Sequence, residues 1–345
     1  MKKLAAPLCL LLALTACGPA PAPTPAPAPE QPQTSTLFAM DTVMDLSVYS
    51  DEEGLLDEAA ALVTDLENRL STTSGQSEIS TLNSQGSTTL STAPAQLLER
   101  ALGFCQKTNG ALDLSIYPVV RAWGFTTSTY QIPPQEQLDR LLSLVDYRQI
   151  QFSPEDGTVS LPQGMEIDLG SVAKGYTSDR LVELFREHGA ASALLNLGGN
   201  VQTLGTKPDG SPWRIGIQDP LGDSYLGILA TADQAVITSG GYERYFEGED
   251  GTVYWHIIDP ETGYPAKNGL ISATAIGPEG VYCDALSTSL FIMGPERACQ
   301  FWQTYQDFET ILVTEDHEVL ISPGLTDSFQ LAKDSPYQLR VISEP

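Results

Sequence analysis

A histidine and a carboxylate stand three residues apart where an apolar run turns abruptly polar: Val253-Tyr254-Trp255-His256-Ile257-Ile258-Asp259-Pro260, then Glu261-Thr262-Gly263-Tyr264-Pro265. The run reads as a strand, and Pro and Gly fix the backbone after it, so polar groups are presented at a loop edge. His256 and Asp259 are candidates for acid–base work or for anchoring a ligand. An exposed strand-end histidine is more often incidental. Asp284 and Thr288 are four residues apart in a helical segment and share one face, offering two hard oxygens. Mg²⁺ prefers such ligands and bridges to phosphate oxygens; the plainer alternative is that Asp284 caps the helix.

Two further segments carry glycine at a turn. Asp168-Leu169-Gly170-Ser171-Val172-Ala173-Lys174-Gly175-Tyr176 runs from a strand end into a helix. Free N–H groups at a helix start suit phosphate, with Lys174 one turn in; a plain strand–turn–helix with a surface lysine fits as well. The glycine spacing is not that of a Walker loop. Asn196-Leu197-Gly198-Gly199-Asn200 reads as a hairpin whose turn explains its glycines, or as a close backbone approach to a ligand. There is no His/Cys cluster for zinc and no serine in a nucleophile elbow.

The elements that position these groups are mixed. Apolar residues recur at three- and four-residue steps over 55–70, predicting a helix, and further helices are expected over 95–108, 135–146, 171–188, 284–293 and 295–305. Strands are expected over 42–49, 193–197, 201–205, 213–218, 235–238, 253–258, 271–276, 310–313, 319–321 and 338–342. Many strands follow one another with no helix between. That pattern is α+β with mostly antiparallel pairing and packed helices, not a doubly wound parallel sheet.

The chain has 18 basic and 44 acidic residues, a formal net charge of −26. This argues against nucleic acid and against peripheral binding to anionic lipid, and requires that an anionic ligand meet a local cation or a metal. Lys2 and Lys3 precede a short apolar segment, and Leu14-Thr15-Ala16-Cys17 reads as a lipobox. Residues 1–17 are therefore expected to be a lipoprotein signal with Cys17 lipidated, residues 18–36 a semi-rigid Pro/Ala tether, and residues 37–345 a single domain. The expected location is the extracytoplasmic face of the cell membrane. Cys105, Cys283 and Cys299 show no metal-like spacing; they allow at most one disulfide and read most simply as small buried apolar residues.

Taken in order, the motifs resemble the ApbE family of FAD:protein FMN transferases. The resemblance spans 40–294 and rests on Met40-Asp41-Thr42-Val43-Met44, Leu70-Ser71-Thr72, Ser77-Glu78-Ile79-Ser80 with Asn83, and Gly110-Ala111-Leu112-Asp113 running on to Trp123-Gly124-Phe125. The 168–176 run, Asn196-Leu197-Gly198-Gly199, Thr238-Ser239-Gly240, 256–265 and 284–288 follow in the family's order. It implies a T-fold-like ApbE architecture and Mg²⁺-dependent transfer of FMN from FAD to a Thr or Ser hydroxyl of an acceptor protein, releasing AMP. It further implies that Met40, Thr73, Ala111, Leu112, Asp113, Asp168, Lys174 and the backbone at Ile257 line the FAD site. The Ser171 carbonyl and the Asp284 and Thr288 side chains would bind Mg²⁺, with His256 and Asp259 at the site's edge. Implied acceptors are flavoprotein subunits of membrane or extracytoplasmic redox complexes. The same site would also serve an FAD pyrophosphatase, or a tethered flavin-binding lipoprotein without catalysis. Two positions depart from the family's usual pattern: Thr73 stands where an aromatic residue is frequent, and Asn200 where Asp is frequent.

Overall fold

The computed structural model describes residues 31–249, 251–333 and 335–344. The signal, the lipobox and most of the tether lie outside the described residues. One sheet of nine strands organises the fold. In sheet order the strands are Gln33–Ala39, Thr42–Val48, Ala193–Leu197, Asn200–Leu204, Ala235–Gly240, Leu270–Gly277, Glu309–Thr314, Glu318–Ile321 and Gln338–Val341, which is also their order in the chain. Every neighbouring pair is antiparallel except the last. The architecture is α+β and mostly antiparallel, as the sequence pattern implies.

Alternation along the strands divides the sheet's two faces. In one strand, Ile237 joins the helices' core with Ala273, Ala275, Leu286 and Leu290, whereas Val236 faces the opposite side with Ile311 and Val313. A three-stranded sheet (Trp213–Gln218, Tyr225–Thr231 and Phe329–Leu331) covers that opposite side. The helices are α1 (Leu55–Leu70), α2 (Glu78–Gln85), α3 (Thr92–Lys107), α4 (Tyr117–Ala122), α5 (Gln135–Leu142), α6 (Gly170–Glu187) and α7 (Gly280–Tyr305). α6 buries Leu181, Val182 and Phe185 against the sheet, and Val172, Ala173 and Tyr176 against Leu97, Leu98 and Ala101 of α3.

Several expectations need correction. The first strand among the described residues begins at Gln33, so the last residues assigned to the tether, 33–36, belong to a strand paired with Thr42–Val48. The strand expected over 253–258 stops at Trp255; beyond it only Ile258 bridges to Pro265. Helix α5 ends at Leu142, short of 146. α7 starts four residues before Asp284, because both carboxylate oxygens of Asp179 on α6 accept N–H groups at its first turn: Gly280 at 2.6 Å and Val281 at 2.9 Å. A negative group there also complements the helix dipole. Asp284 consequently lies in the second turn, where it cannot be a cap. The break expected between 293 and 295 is real: Gly294 has φ 75° and ψ 172° ahead of Pro295. Cys105, Cys283 and Cys299 are free thiols, the first two packed in the core. No helix among the described residues is long and apolar enough to cross a membrane.

Candidate active site

The site grows from the crossing of α6 and α7. Gly175 and Gly280 meet backbone to backbone; a Cβ on Gly175 would lie 2.2 Å from the Gly280 carbonyl oxygen, and one on Gly280 2.5 Å from that of Gly175. Only glycines allow this approach. It brings the Asp284 side chain, 4% exposed, onto α6, where its Oδ2 accepts the Gly175 N–H at 2.8 Å. In a regular helix that N–H would go to the Ser171 carbonyl, four residues back. A carbonyl oxygen carries two lone pairs, so the Ser171 oxygen has capacity for a cation even while it accepts within the helix. Thr288, one turn along α7, has its hydroxyl 3.2 Å from Ser239 Oγ, which is also 2.9 Å from Ser287 Oγ. Asn200, also 4% exposed, lies against Asp284, yet its Nδ2 makes no hydrogen bond of normal geometry.

Two hairpin tips flank this crossing. Met40 and Asp41 form one turn with φ of 50° and 61°, a left-handed pair that matches strand twist but that non-glycine residues seldom adopt. The Met40 N–H is held by Glu67 Oε1 at 2.7 Å, and its sulfur lies 3.7 Å from Thr177 Oγ1 on α6. Gly198 and Gly199 form the other tip, with a Gly198 Cβ position only 2.0 Å from Thr42 Oγ1. Arg244 is tied to the first tip through Asp41 at 2.9 Å.

The electrostatics gather around two cations. Lys174 has no carboxylate within ion-pair distance among the described residues, so its ammonium is available to a ligand. Asp168, half-buried at the α6 N-terminus, accepts the Gly170 N–H at 3.0 Å. Burial pushes its carboxyl up, while hydrogen bonds from Gly170 and Leu169 and the charges of Lys174 and Arg244 oppose the rise. Asp284 is likewise raised by burial and held back chiefly by Lys174. Glu243 is exposed by surface area, although nearby protein withdraws water from its carboxyl. Burial raises it, against Lys174 and Arg244. His256 has its Nδ1 3.4 Å from the Arg244 carbonyl; burial, then Arg244 and Lys174, push it from 6.5 down to about 4.

The depressed His256 sets a testable sign. Its folded pKa lies below its ordinary value, so its contribution to stability is complete above about pH 6.5 and is lost as pH falls towards 4. His256→Gln is expected to lose less stability than the wild type between pH 7 and pH 4.5, with the urea midpoints at both pH values as the measurement. Parallel losses in the two proteins would show that His256 titrates normally.

Of the sequence-predicted residues, the structure brings together Met40, Asp168, Ser171, Lys174, His256, Asp284 and Thr288. Asp168 donates its N–H to the Leu114 carbonyl at 3.0 Å, which draws the segment of Ala111 and Leu112 to the same region. Ala111 also shares an apolar cluster with Ile257, and Leu112 is core. Three residues engage in local hydrogen bonds. Asp113 accepts from Ser115 N–H and Oγ (2.9 and 2.6 Å) and from Tyr147 N–H (3.1 Å), capping a short 3₁₀ turn. Asp259 accepts the Glu261 N–H at 2.8 Å and builds its own turn; its charged neighbours are Glu261 and Arg297, not Lys174. Thr73 bonds only within its own loop, to Ser71. Sequence reasoning missed Glu243 and Arg244, whose only signal is a charge pair following Gly240-Gly241.

The chain is 34% identical to the FAD:protein FMN transferase of Treponema pallidum over 79% of its length and 80% of the relative's. It is 33% identical to that of Klebsiella pneumoniae over 85% of its length and 92% of the relative's. The crystal structure of the ApbE protein of Thermotoga maritima superposes with a TM-score of 0.78 at 28% identity, covering 88% of this chain and 97% of that one. The apo flavinyl transferase ApbE of Pseudomonas stutzeri gives 0.74 at 26%, covering 83% and 92%. The ApbE family profile matches residues 40–312, the span that contains both hairpin tips, the α6–α7 crossing and His256, and the chain belongs to the ApbE family.

Proposed function

We propose that this chain, like the relatives named above, is an FAD:protein FMN transferase. It moves FMN from FAD to a Thr or Ser hydroxyl of an acceptor protein, with Mg²⁺ at Asp284, Thr288 and the Ser171 carbonyl. The observation that carries this reading is the hydrogen bond from the Gly175 N–H to Asp284, which sets a buried carboxylate against α6 in the turn that follows the Ser171 carbonyl, with the Thr288 hydroxyl one turn along α7. These are hard oxygens with few charges, a set that suits Mg²⁺ retaining waters and substrate phosphate oxygens. Among the described residues no cluster of three or more His, Cys, Asp or Glu offers a competing metal site. Held by these residues, Mg²⁺ would supply charge neutralisation on the pyrophosphate, which an acidic protein does not supply from its surface.

The protein's own residues do the rest. Lys174 pairs with a pyrophosphate oxygen, and Arg244, anchored by Asp41, supports it electrostatically. The acceptor hydroxyl oxygen attacks the FMN phosphorus, the pyrophosphate P–O bond breaks, and AMP departs with the bonding electrons. His256 takes the hydroxyl proton. With Nδ1 facing the Arg244 carbonyl, Nε2 is the nitrogen left to accept it. Burial and then Arg244 and Lys174 depress this base, and an anionic pyrophosphate at the two cations would offset their part of the effect. The acceptor is a flavoprotein subunit of a membrane or extracytoplasmic redox complex, and lipidated Cys17 holds the enzyme at the extracytoplasmic membrane face; the lipobox supports this.

The test is incubation of the protein with FAD, Mg²⁺ and a candidate acceptor. Flavin fluorescence on the acceptor band of a denaturing gel, matched by AMP release, is expected. Free FMN and AMP with a dark acceptor would mean hydrolysis instead, and FAD binding without AMP would mean a carrier.

A further inference from the structure

A column of aromatic rings rises beside His256 and ends in solvent. Its base is Trp123, fully buried, with Nε1 donating to the Gly263 carbonyl at 2.8 Å. Tyr254 packs on Trp123 at 5.2 Å between ring centroids, Phe246 on Tyr254 at 5.3 Å, and Tyr130 on Phe246 at 5.1 Å with the planes within 9°. Phe125 ties the column to the site: it lies 5.6 Å from Tyr130 and 6.3 Å from His256. Tyr130 is 42% exposed although its ring is stacked from below.

The loop that carries Tyr130 is held at both ends. The Gln131 N–H donates to the Trp123 carbonyl at 3.2 Å, and its side-chain amide to the Ala122 carbonyl at 2.9 Å. Gly124 turns with φ 87° where a Cβ would lie 1.9 Å from the Thr129 oxygen. An exposed ring fixed this way is pre-organised, so stacking on it costs little ordering. The order of groups then matters: Lys174 and Arg244 at one end, His256 between, and Phe125 with Tyr130 at the other. FMN has the same order, a phosphate, a ribityl chain and a planar tricycle. Thr73, expected at the flavin, has no ring to offer.

We propose that the outer face of Tyr130, backed by Phe246, stacks the isoalloxazine ring of FAD; this rests on the transferase reading above. Binding is read with the full chain and Mg²⁺, using FAD, FMN and AMP as separate probes and flavin emission as a second signal. The wild type is expected to bind FAD and FMN and to quench their emission. Tyr130→Leu should weaken FMN about tenfold, within the range of a single aromatic stack, and restore emission, while AMP binds unchanged. Tyr130→Phe keeps a ring and should retain FMN affinity. Equal FMN affinity in all three proteins, an equal loss in Tyr130→Phe and Tyr130→Leu, or a loss of AMP affinity in place of FMN affinity overturns the proposal. A wild type that binds neither FAD nor FMN would instead overturn the transferase reading.

Discussion

Asp284→Ala is expected to lower Mg²⁺-dependent FMN transfer by on the order of 10³-fold, comparable to the loss of a central electrostatic group in other active sites. Asp284 is the one carboxylate that reaches the α6–α7 crossing from α7, and the hydroxyl and carbonyl beside it carry no net charge. Folding should survive the change. The Gly175 N–H, which loses the Asp284 oxygen, has the Ser171 carbonyl as its regular helical acceptor, and burial already works against the carboxylate's charge. Asp284→Asn sharpens the test, because it keeps an acceptor oxygen for Gly175 and removes only the charge. AMP release across a Mg²⁺ titration is the measurement, with calorimetric FAD binding alongside. Both variants should need far more Mg²⁺ and remain slow at saturation. Full Mg²⁺-dependent turnover in either one would remove Asp284 from the metal site.

How much of this was legible in the sequence depended on whether the cause was local. Helix α1 and most of α6 announce themselves by apolar spacing, and the break at Gly294-Pro295 by its residue types. The start of α7 does not, because its cap is Asp179, about a hundred residues away on another helix. The strand Gln33–Ala39 was hidden because its first residues are polar and follow a proline-rich run; it is a strand through pairing with Thr42–Val48, not through propensity. The site divides the same way. Asp284 and Thr288 share a helical face that spacing reveals, whereas the Ser171 carbonyl enters only through the family resemblance and Lys174 reads locally as a surface lysine just as well. Asp113 and Asp259 have the residue type of a ligand, but in turns a carboxylate is also the group that best satisfies free N–H donors. Arg244 and Glu243 enter the site only because the chain folds back over α6, and no local pattern encodes that.

The same crossing makes Gly175→Ala the second large effect. The new Cβ would sit 2.2 Å from the Gly280 oxygen, 2.5 Å from its carbonyl carbon and 2.7 Å from Asp284 Cβ. None of these atoms can rotate away, so α7 must move off α6, at a cost of about 1–3 kcal/mol for overpacking. That motion also pulls Asp284 from the Gly175 N–H, so weaker Mg²⁺ binding should accompany a lower Tm. Gly280→Ala meets Ser178 Oγ at 2.4 Å and the Gly175 oxygen at 2.5 Å, and should do the same. The double variant decides the mechanism. Once the first methyl has separated the helices, the second finds space, so the two costs should sum to less than their separate values. Gly103→Ala is the control: it lies within α3 with nothing within 4 Å of its Cβ position, and should stabilise by about 0.5–1 kcal/mol through helix propensity. If Gly175→Ala behaved like Gly103→Ala, keeping both its Tm and its Mg²⁺ affinity, the close approach of α6 and α7 would not be what builds the site.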